Sequence, residues 1–302
     1  MKFLVIIPTY NENANISTVL NKVLNLKSES EIDILVIDDS SPDGTANTVK
    51  EIMNTNNNVN LLQREGKLGL SSAYCTGFKW AIDKDYDYVI QMDADLSHNP
   101  NDILKFIDKS REFDIIIGSR YKTGVNVVNW PLRRLVLSYF ANIYARLFTG
   151  MKIFDLTSGF KCINIDSLKS INLDRINSEG YSFQIEMNFL LSNLGFKIFE
   201  VPIIFHDRTV GESKMSKKII FEQRIKKHGP NYWEIDHYPV KYKDIRNQCC
   251  FGVTDPLDID NLVPSCGSCN KSHKFEVNNT YCCCIKSSQF PCKKLTSCCI
   301  IS

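Results

Sequence analysis

The chain has 302 residues, of which 43% are apolar and 23% charged, with a formal net charge of +2. That length holds one large domain or two smaller ones, and the near-neutral charge gives no footprint for binding a polyanion. No run approaches 18 uninterrupted apolar residues, so no membrane span is expected, and the opening MKFLVIIPTYNE lacks the small-residue cleavage site of a signal peptide.

From the first residue to about residue 120, apolar runs alternate with helical spacings. FLVIIP, IDILVIDD, NVNLLQRE, YDYVIQMDAD and FDIIIGSRY read as strands. NISTVLNKVLNL, TANTVKEIMNT, LSSAYCTGFKWAIDK and NDILKFIDKSRE read as the helices between and after them. Strands that are apolar without alternation, each followed by a helix, predict an α/β fold with a parallel sheet covered on both faces. Residues 133–149 have the spacing of an amphipathic helix. Its apolar face (Leu135, Phe140, Ile143, Leu147) is read as core, with a wall for a lipid chain as the alternative. Residues 155–205 form a mixed segment ending in the strand FKIFEVPIIF. The rhythm stops after about residue 222, which divides the chain into an α/β domain over 1–222 and a tail over 223–302, without internal repeats. Of the 12 cysteines only Cys75 and Cys162 precede residue 249. The first domain therefore reads as cytosolic, with isolated thiols.

Acids collect at strand ends: Asp38-Asp39, the turn Asp43-Gly44, and Asp93-Ala94-Asp95. At the carboxyl end of a buried strand, Asp93 and Asp95 aim hard oxygen ligands into the crevice where open α/β sheets bind ligands. Such a pair suits Mg²⁺ or Mn²⁺ carrying a diphosphate. Basic partners are Arg120 after FDIIIGS, Arg133 and Arg134 at a helix start, and Arg208 and Lys214 in the loop HDRTVGESKMS. Arginines in excess of those a metal-bound diphosphate needs imply a second phosphorylated substrate. No G-x-x-x-x-G-K-[ST] and no G-x-G-x-x-G opens a helix, which argues against a P-loop kinase and a dinucleotide dehydrogenase.

IIPTYNE, VIDDSSPDGT, REGKLGLSSAY, MDADLSHNP, IGSRY, NWPLRR, DLTSGFKC, GYSFQIEM and VPIIFHDRTVGESKMS occur in this order. Together they closely resemble the dolichol-phosphate (polyprenol-phosphate) mannosyltransferases, inverting glycosyltransferases of the GT-A fold, over about residues 2–222. The resemblance implies transfer of mannose from GDP-mannose to a polyprenyl or dolichyl phosphate. It implies that Pro8, Tyr10, Glu12, Ile37 and Asp39 hold the guanine nucleoside. Met92, Asp93, Ala94 and Asp95 would bind the diphosphate and the Mg²⁺ or Mn²⁺, with Asp93 and Asp95 as ligands. Ser97 stands where some relatives carry a glutamine ligand. Arg120, Arg134, Ser138, Arg208 and Lys214 would line the phosphate sites, with Asp95, Arg120 and Arg208 closest to catalysis. The expected setting is cytoplasmic and peripheral on a membrane surface, the cytosolic face of the endoplasmic reticulum or a bacterial inner membrane, with a small membrane subunit as a candidate partner. A related transferase using another donor such as UDP-glucose is the enzymatic alternative.

The tail is a different kind of sequence. WEIDHYPVKY followed by DIDNLVPSCGSCNKSHKF resembles the second part of an HNH nuclease. By that resemblance Asp236 and Asn270 would bind a catalytic metal, His237 would activate water, and Cys266 and Cys269 would give half of a Zn²⁺ site. A tetrahedral zinc needs four ligands, and no second CxxC stands between residues 200 and 248. The tail therefore reads as a fragment without nuclease activity. From residue 224 on, 11 Lys and Arg face 7 Asp and Glu, too small an excess to make nucleic acid an expected partner. The ending Cys299-Ile300-Ile301-Ser302 also satisfies the prenylation pattern.

Overall fold

The computed structural model describes residues 1–176 and 178–207, and short strands beyond them. Contacts divide the chain into two units, Met1–Arg224 and Ile225–Ser302. In the first unit, β1 (Lys2–Thr9), α1 (Asn13–Leu24), β2 (Glu31–Asp38), α2 (Thr45–Met53), β3 (Val59–Gln63), α3 (Leu70–Ile82), β4 (Tyr88–Gln91), α4 (Asp102–Lys109) and β5 (Ile115–Ser119) follow the predicted alternation. Then come β6 (Val127–Val128), α5 (Leu132–Thr149), β7 (Lys161–Asn164), α6 (Ile165–Lys169), α7 (Gly180–Asn193), β8 (Ile198–Pro202) and β9 (Phe205–His206). The second unit contains an antiparallel sheet of β10 (Lys226–Lys227), β11 (Tyr232–Ile235) and β12 (Tyr238–Lys241), and the pair β13 (Phe251–Gly252) and β14 (Cys282–Cys283).

The main sheet has the order β3-β2-β1-β4-β7-β5-β8. All neighbours pair parallel except β7, which runs antiparallel to both β4 and β5. Phe3 to Ile7 of β1 are all buried, as expected for a central strand covered on both faces. The helices close those faces with single stripes. Ile16, Val19, Leu20 and Val23 of α1 follow the i, i+3, i+4, i+7 spacing and are buried, as are Ile103, Phe106 and Ile107 of α4. α3 lies close to the sheet because Gly77 has no side chain. A Cβ there would fall 2.8 Å from Ile6 Cγ2 and 2.9 Å from Ile37 Cδ1.

α5 departs from the sequence reading. Only Asn142 and Ala145 of this helix are buried. Leu135 and Ile143 are half-buried, while Phe140 is 61% and Leu147 76% exposed. Leu132, Val136, Leu137, Tyr139 and Tyr144 are exposed as well. Amphipathic spacing was right, but the apolar face is not core. Among the described residues no helix is long and apolar enough to cross a membrane.

The edge of the sheet that receives β1, β2 and β4 carries tight turns. Asn11, Ser40 and Leu96 adopt φ of 56°, 52° and 62° just beyond those strands. Left-handed backbone is costly for a residue such as leucine, and such strain concentrates at functional sites.

Candidate active site

Asp93 and Asp95 follow β4 at this edge. Asp95 is buried, and its Oδ1 accepts the Ser97 N–H at 3.1 Å. Asp93 is 36% exposed. His98 braces the turn: its Nδ1 accepts the Asp93 N–H at 3.2 Å, and its Nε2 lies 4.0 Å from Asp93 Oδ2. The imidazole is buried between rings, stacked on Phe160 at 4.7 Å and edge-on to Phe205 at 5.4 Å. Burial pushes its pKa below the ordinary histidine value despite the two aspartates, so the ring is neutral with Nδ1 free to accept. Sequence reading missed this residue because a single histidine inside a motif does not disclose its partner. Tyr74 of α3 lies beneath; burial, then Asp93 and Asp95, drive its pKa well up.

The donor set fits a hard divalent cation. Two carboxylates, one of them open to the cleft, are what Mg²⁺ or Mn²⁺ uses when substrate phosphates and water complete an octahedron. Among the described residues no third His, Cys, Asp or Glu joins them. Ser97 is buried, and its Oγ has no hydrogen-bond partner among the described residues. Met92 and Ala94 are buried in the core cluster, so only their backbone can serve a ligand.

The acids after β2 are already engaged. Asp38 Oδ1 accepts from Thr9 Oγ1 at 2.9 Å and Ser41 Oγ at 2.5 Å. Asp39 accepts Arg64 Nε at 2.6 Å and the Leu68 N–H at 3.1 Å. Arg64 also reaches Ser72 Oγ and the Gly69 carbonyl. It is buried, and it was not singled out in the sequence. Asp43 receives the N–H groups of Asn13 and Thr45. Around the same edge, Pro8, Tyr10 and Glu12 are half-buried, and Lys67 Nζ stands 4.4 Å over the Tyr10 ring. The Ile37 side chain is buried against α3, which leaves its backbone for any ligand contact.

Arg120 follows β5 and is clamped by Asp155. Its Nε and backbone N–H donate to Asp155 Oδ2 at 2.7 and 2.9 Å, and its Nη2 donates to Oδ1 at 2.7 Å and to Thr157 Oγ1 at 2.8 Å. Burial alone would lower its pKa. The charge and hydrogen bonds of Asp155 offset this and raise it above the ordinary arginine value. Arg134 pairs with Asp207 at 2.8 Å and lies over Trp130. Ser138 Oγ accepts the Tyr121 hydroxyl at 2.8 Å. β6 pairs parallel with β9, and His206 of β9 with Asp207 just after it borders a hollow of about 310 Å³ lined by Asp95, His98 and Lys22 among others. Arg208 and Lys214 lie outside the described residues, as do Asp236, His237, Cys266, Cys269, Asn270 and Cys299.

A parallel-dominated sheet with one reversed strand thus carries an acid pair, Asp93 and Asp95, at its carboxyl edge, an α/β architecture with ligand groups where such sheets bind. The family model described as Glycosyl transferase family 2 matches residues 4–171, and the chain belongs to that family. It is 41% identical over 222 residues to an undecaprenyl-phosphate mannosyltransferase from Micrococcus luteus, covering 74% of this chain and 90% of the relative. It is also 41% identical over 225 residues to a polyprenol monophosphomannose synthase from Mycolicibacterium smegmatis, covering 74% and 84%. Among solved structures, glucosyl-3-phosphoglycerate synthase from Mycobacterium tuberculosis, in complex with Mn²⁺, uridine diphosphate and phosphoglyceric acid, shares the fold. Its TM-score is 0.52 at 17% identity, over 70% of this chain and 71% of that one.

Proposed function

We propose that the chain transfers mannose from GDP-mannose to a polyprenyl or dolichyl monophosphate with inversion, giving polyprenyl β-mannosyl phosphate. The observation that carries this reading is the Asp93–Asp95 pair at the carboxyl edge of β4, in a chain 41% identical to an undecaprenyl-phosphate mannosyltransferase and to a polyprenol monophosphomannose synthase. Pro8, Tyr10, Glu12 and the backbone of Ile37 line the edge where the nucleoside would lie, with Asp39 acting through Arg64 and the Leu68 loop.

The acceptor oxygen needs no general base. A phosphate monoester has its second pKa near ~6, so it is mostly dianionic at neutral pH. In one displacement, an acceptor phosphate oxygen forms a bond to the anomeric carbon while the bond from that carbon to GDP breaks and its electron pair leaves with GDP. The remaining obstacle is repulsion between two anions. Arg120, oriented by Asp155, and Arg134, beside Asp207, would present guanidinium donors at fixed positions, each with its charge partly offset by its own carboxylate, and fixed donors are worth more than mobile ones. Arg208 and Lys214 belong to the same proposed phosphate sites. A Mg²⁺ or Mn²⁺ ion held by Asp93 and Asp95 would stabilise charge on the departing diphosphate.

The acceptor lipid sets the location, a membrane surface with the protein peripheral to it. The exposed apolar face of α5 supports this, since large contiguous apolar surface on a folded protein marks an interaction site. The test is transfer of radiolabelled mannose from GDP-mannose to a polyprenyl phosphate in detergent, by the full-length protein, with Mn²⁺ or with EDTA. Metal-dependent lipid-linked mannose is the expected result. Transfer from UDP-glucose and not from GDP-mannose would replace this reading with the sibling activity.

A further inference from the structure

The acids around the site are held in two ways. Asp39 and Asp155 each meet an arginine, Arg64 at 2.5 Å and Arg120 at 2.7 Å. Asp93 is backed by two uncharged side chains instead. His98 accepts the Asp93 N–H at Nδ1, 3.2 Å away. In a neutral imidazole one nitrogen accepts and the other carries the proton, so the proton is on Nε2, 4.0 Å from Asp93 Oδ2. Phe160 and Phe205 hold the ring there, with centroids 4.7 and 5.4 Å away. Tyr74 comes from α3. It is fully buried and stacked on Phe183 with planes 2° apart and on Phe78 with planes 21° apart, so two neighbours fix the direction of its hydroxyl. That hydroxyl closes no hydrogen bond among the described residues, and a polar group at this depth normally has a partner. The side chain that meets it as an acceptor is Asp93, with Asp95 the other charge nearby. α7 keeps the two together. Phe183 lies against Tyr74, and a Cβ at Gly159 would stand 3.6 Å from Nε2 of the next residue, Gln184, and 4.0 Å from Asp93 Oδ1.

We propose that Tyr74 and His98 are positioning residues for a divalent cation, steadying the Asp93 carboxylate through the phenol O–H and the imidazole Nε2–H while leaving its charge intact. The inference rests on the proposed function, which puts Mg²⁺ or Mn²⁺ at Asp93 and Asp95, and adds what keeps Asp93 aimed. A carboxylate that is 36% exposed at the end of a strand has room to rotate. An arginine behind it would fix it but would also neutralise it, as Arg64 and Arg120 do for Asp39 and Asp155. Uncharged donors fix it without competing with the cation, and partners of this kind set how tightly a metal is held.

The test titrates Mn²⁺ into full-length protein holding a fixed, low concentration of fluorescently labelled GDP, and reads the half-saturating Mn²⁺ concentration from anisotropy. Wild type is compared with Tyr74→Phe, His98→Phe, Asp93→Ala and the double variant Tyr74→Phe with Asp93→Ala. Tyr74→Phe keeps the stacked ring and loses one oxygen, so it should melt within about 3 °C of wild type. The half-saturating Mn²⁺ concentration should rise about tenfold in Tyr74→Phe and in His98→Phe, and further in Asp93→Ala, which removes a ligand. On the Asp93→Ala background Tyr74→Phe should cost less than about twofold, because the group it steadies is gone. A role in packing alone would move the melting temperature and leave this coupling at zero. If Asp93→Ala weakens Mn²⁺ binding while Tyr74→Phe stays within about twofold of wild type, the positioning role is wrong and the metal site of the proposed function stands. An equal loss from Tyr74→Phe with and without the Asp93 carboxylate would overturn it too. If Asp93→Ala responds to Mn²⁺ as wild type does, the metal site itself falls and the positioning role falls with it.

Discussion

Replacing Asp155 with alanine tests how Arg120 is held. Asp155 is fully buried and takes three hydrogen bonds from Arg120, two from the guanidinium and one from the backbone. Arg120 is itself buried, so the variant leaves a cation with Thr157 Oγ1 as its remaining hydrogen-bond partner. Breaking a buried pair on one side costs roughly 3–5 kcal/mol, because the surviving charge is neither solvated nor neutralised. For a domain of this size each kcal/mol moves the melting temperature by about 2–4 °C. The expected fall is therefore on the order of 6–20 °C, read by thermal unfolding of full-length Asp155→Ala against wild type. The double variant Arg120→Met with Asp155→Leu should melt higher than Asp155→Ala, since it removes the orphan charge and keeps apolar volume. A drop below about 3 °C in Asp155→Ala, or a double variant no better than the single, would refute the clamp.

Asp95→Asn should lower mannosyl transfer by about a thousandfold, the scale of several kcal/mol of lost charge stabilisation, and EDTA should do the same to wild type; activity that survives EDTA would remove the metal from the reaction. Lys161 gives a pH signature. Burial pulls its pKa down to about 7, against the opposing pull of Asp155. Above pH 7 the folded lysine has lost its proton while the unfolded one keeps it, so stability rises from about pH 7 toward pH 10, by on the order of a few kcal/mol. The difference in unfolding free energy between wild type and Lys161→Met should carry that slope, and a flat difference from pH 6 to 9 would contradict it. Phe140→Ser with Leu147→Ser should shift the melting temperature little, because both side chains are exposed. Co-sedimentation with phospholipid vesicles should fall at least about tenfold, given roughly 1.5–3 kcal/mol for each large apolar side chain that enters lipid. A large loss of stability with unchanged vesicle binding would return α5 to the core.

The alternation of β1 through β5 with α1 through α4 was legible because burial on both faces writes itself into short runs of Val, Ile and Leu. The insertion of β7 between β4 and β5 was not. KCIN is four residues long, and its antiparallel pairing with β4 and β5 depends on partners about 45 to 76 positions away. The D-x-D pair was legible because its two acids are adjacent in sequence and end an apolar run. The support beneath it was not, since His98, Arg64 and Asp155 act through partners that no local pattern names. Asp39 shows the limit from the other side. An acid at a strand end reads as a ligand for something outside the protein, yet here its carboxylate is bonded to Arg64 and the Leu68 N–H. For α5 the period was correct and the environment was not, because a stripe of Leu, Phe and Tyr looks the same in sequence whether it faces a core or lies exposed.

One short loop, residues 154–158, ties α5 to β5 and β8. Glu200 of β8 accepts the N–H groups of Phe154 and Asp155. Asn142 of α5 accepts the Leu156 N–H at 2.8 Å and donates to Thr157 Oγ1 at 3.2 Å, the same oxygen that takes a hydrogen bond from Arg120. Ser158 Oγ donates to the Gly118 carbonyl at 2.6 Å. The loop therefore links α5, with its exposed apolar face, to the guanidinium proposed for the acceptor phosphate. Asn142 thus connects α5 to Thr157 and, through Thr157, to Arg120, alongside the Tyr121–Ser138 hydrogen bond and the Arg134–Asp207 pair. Asn142 is one of only two buried positions on that helix, so the helix is anchored at the point where it meets this loop, and half of its remaining positions are exposed.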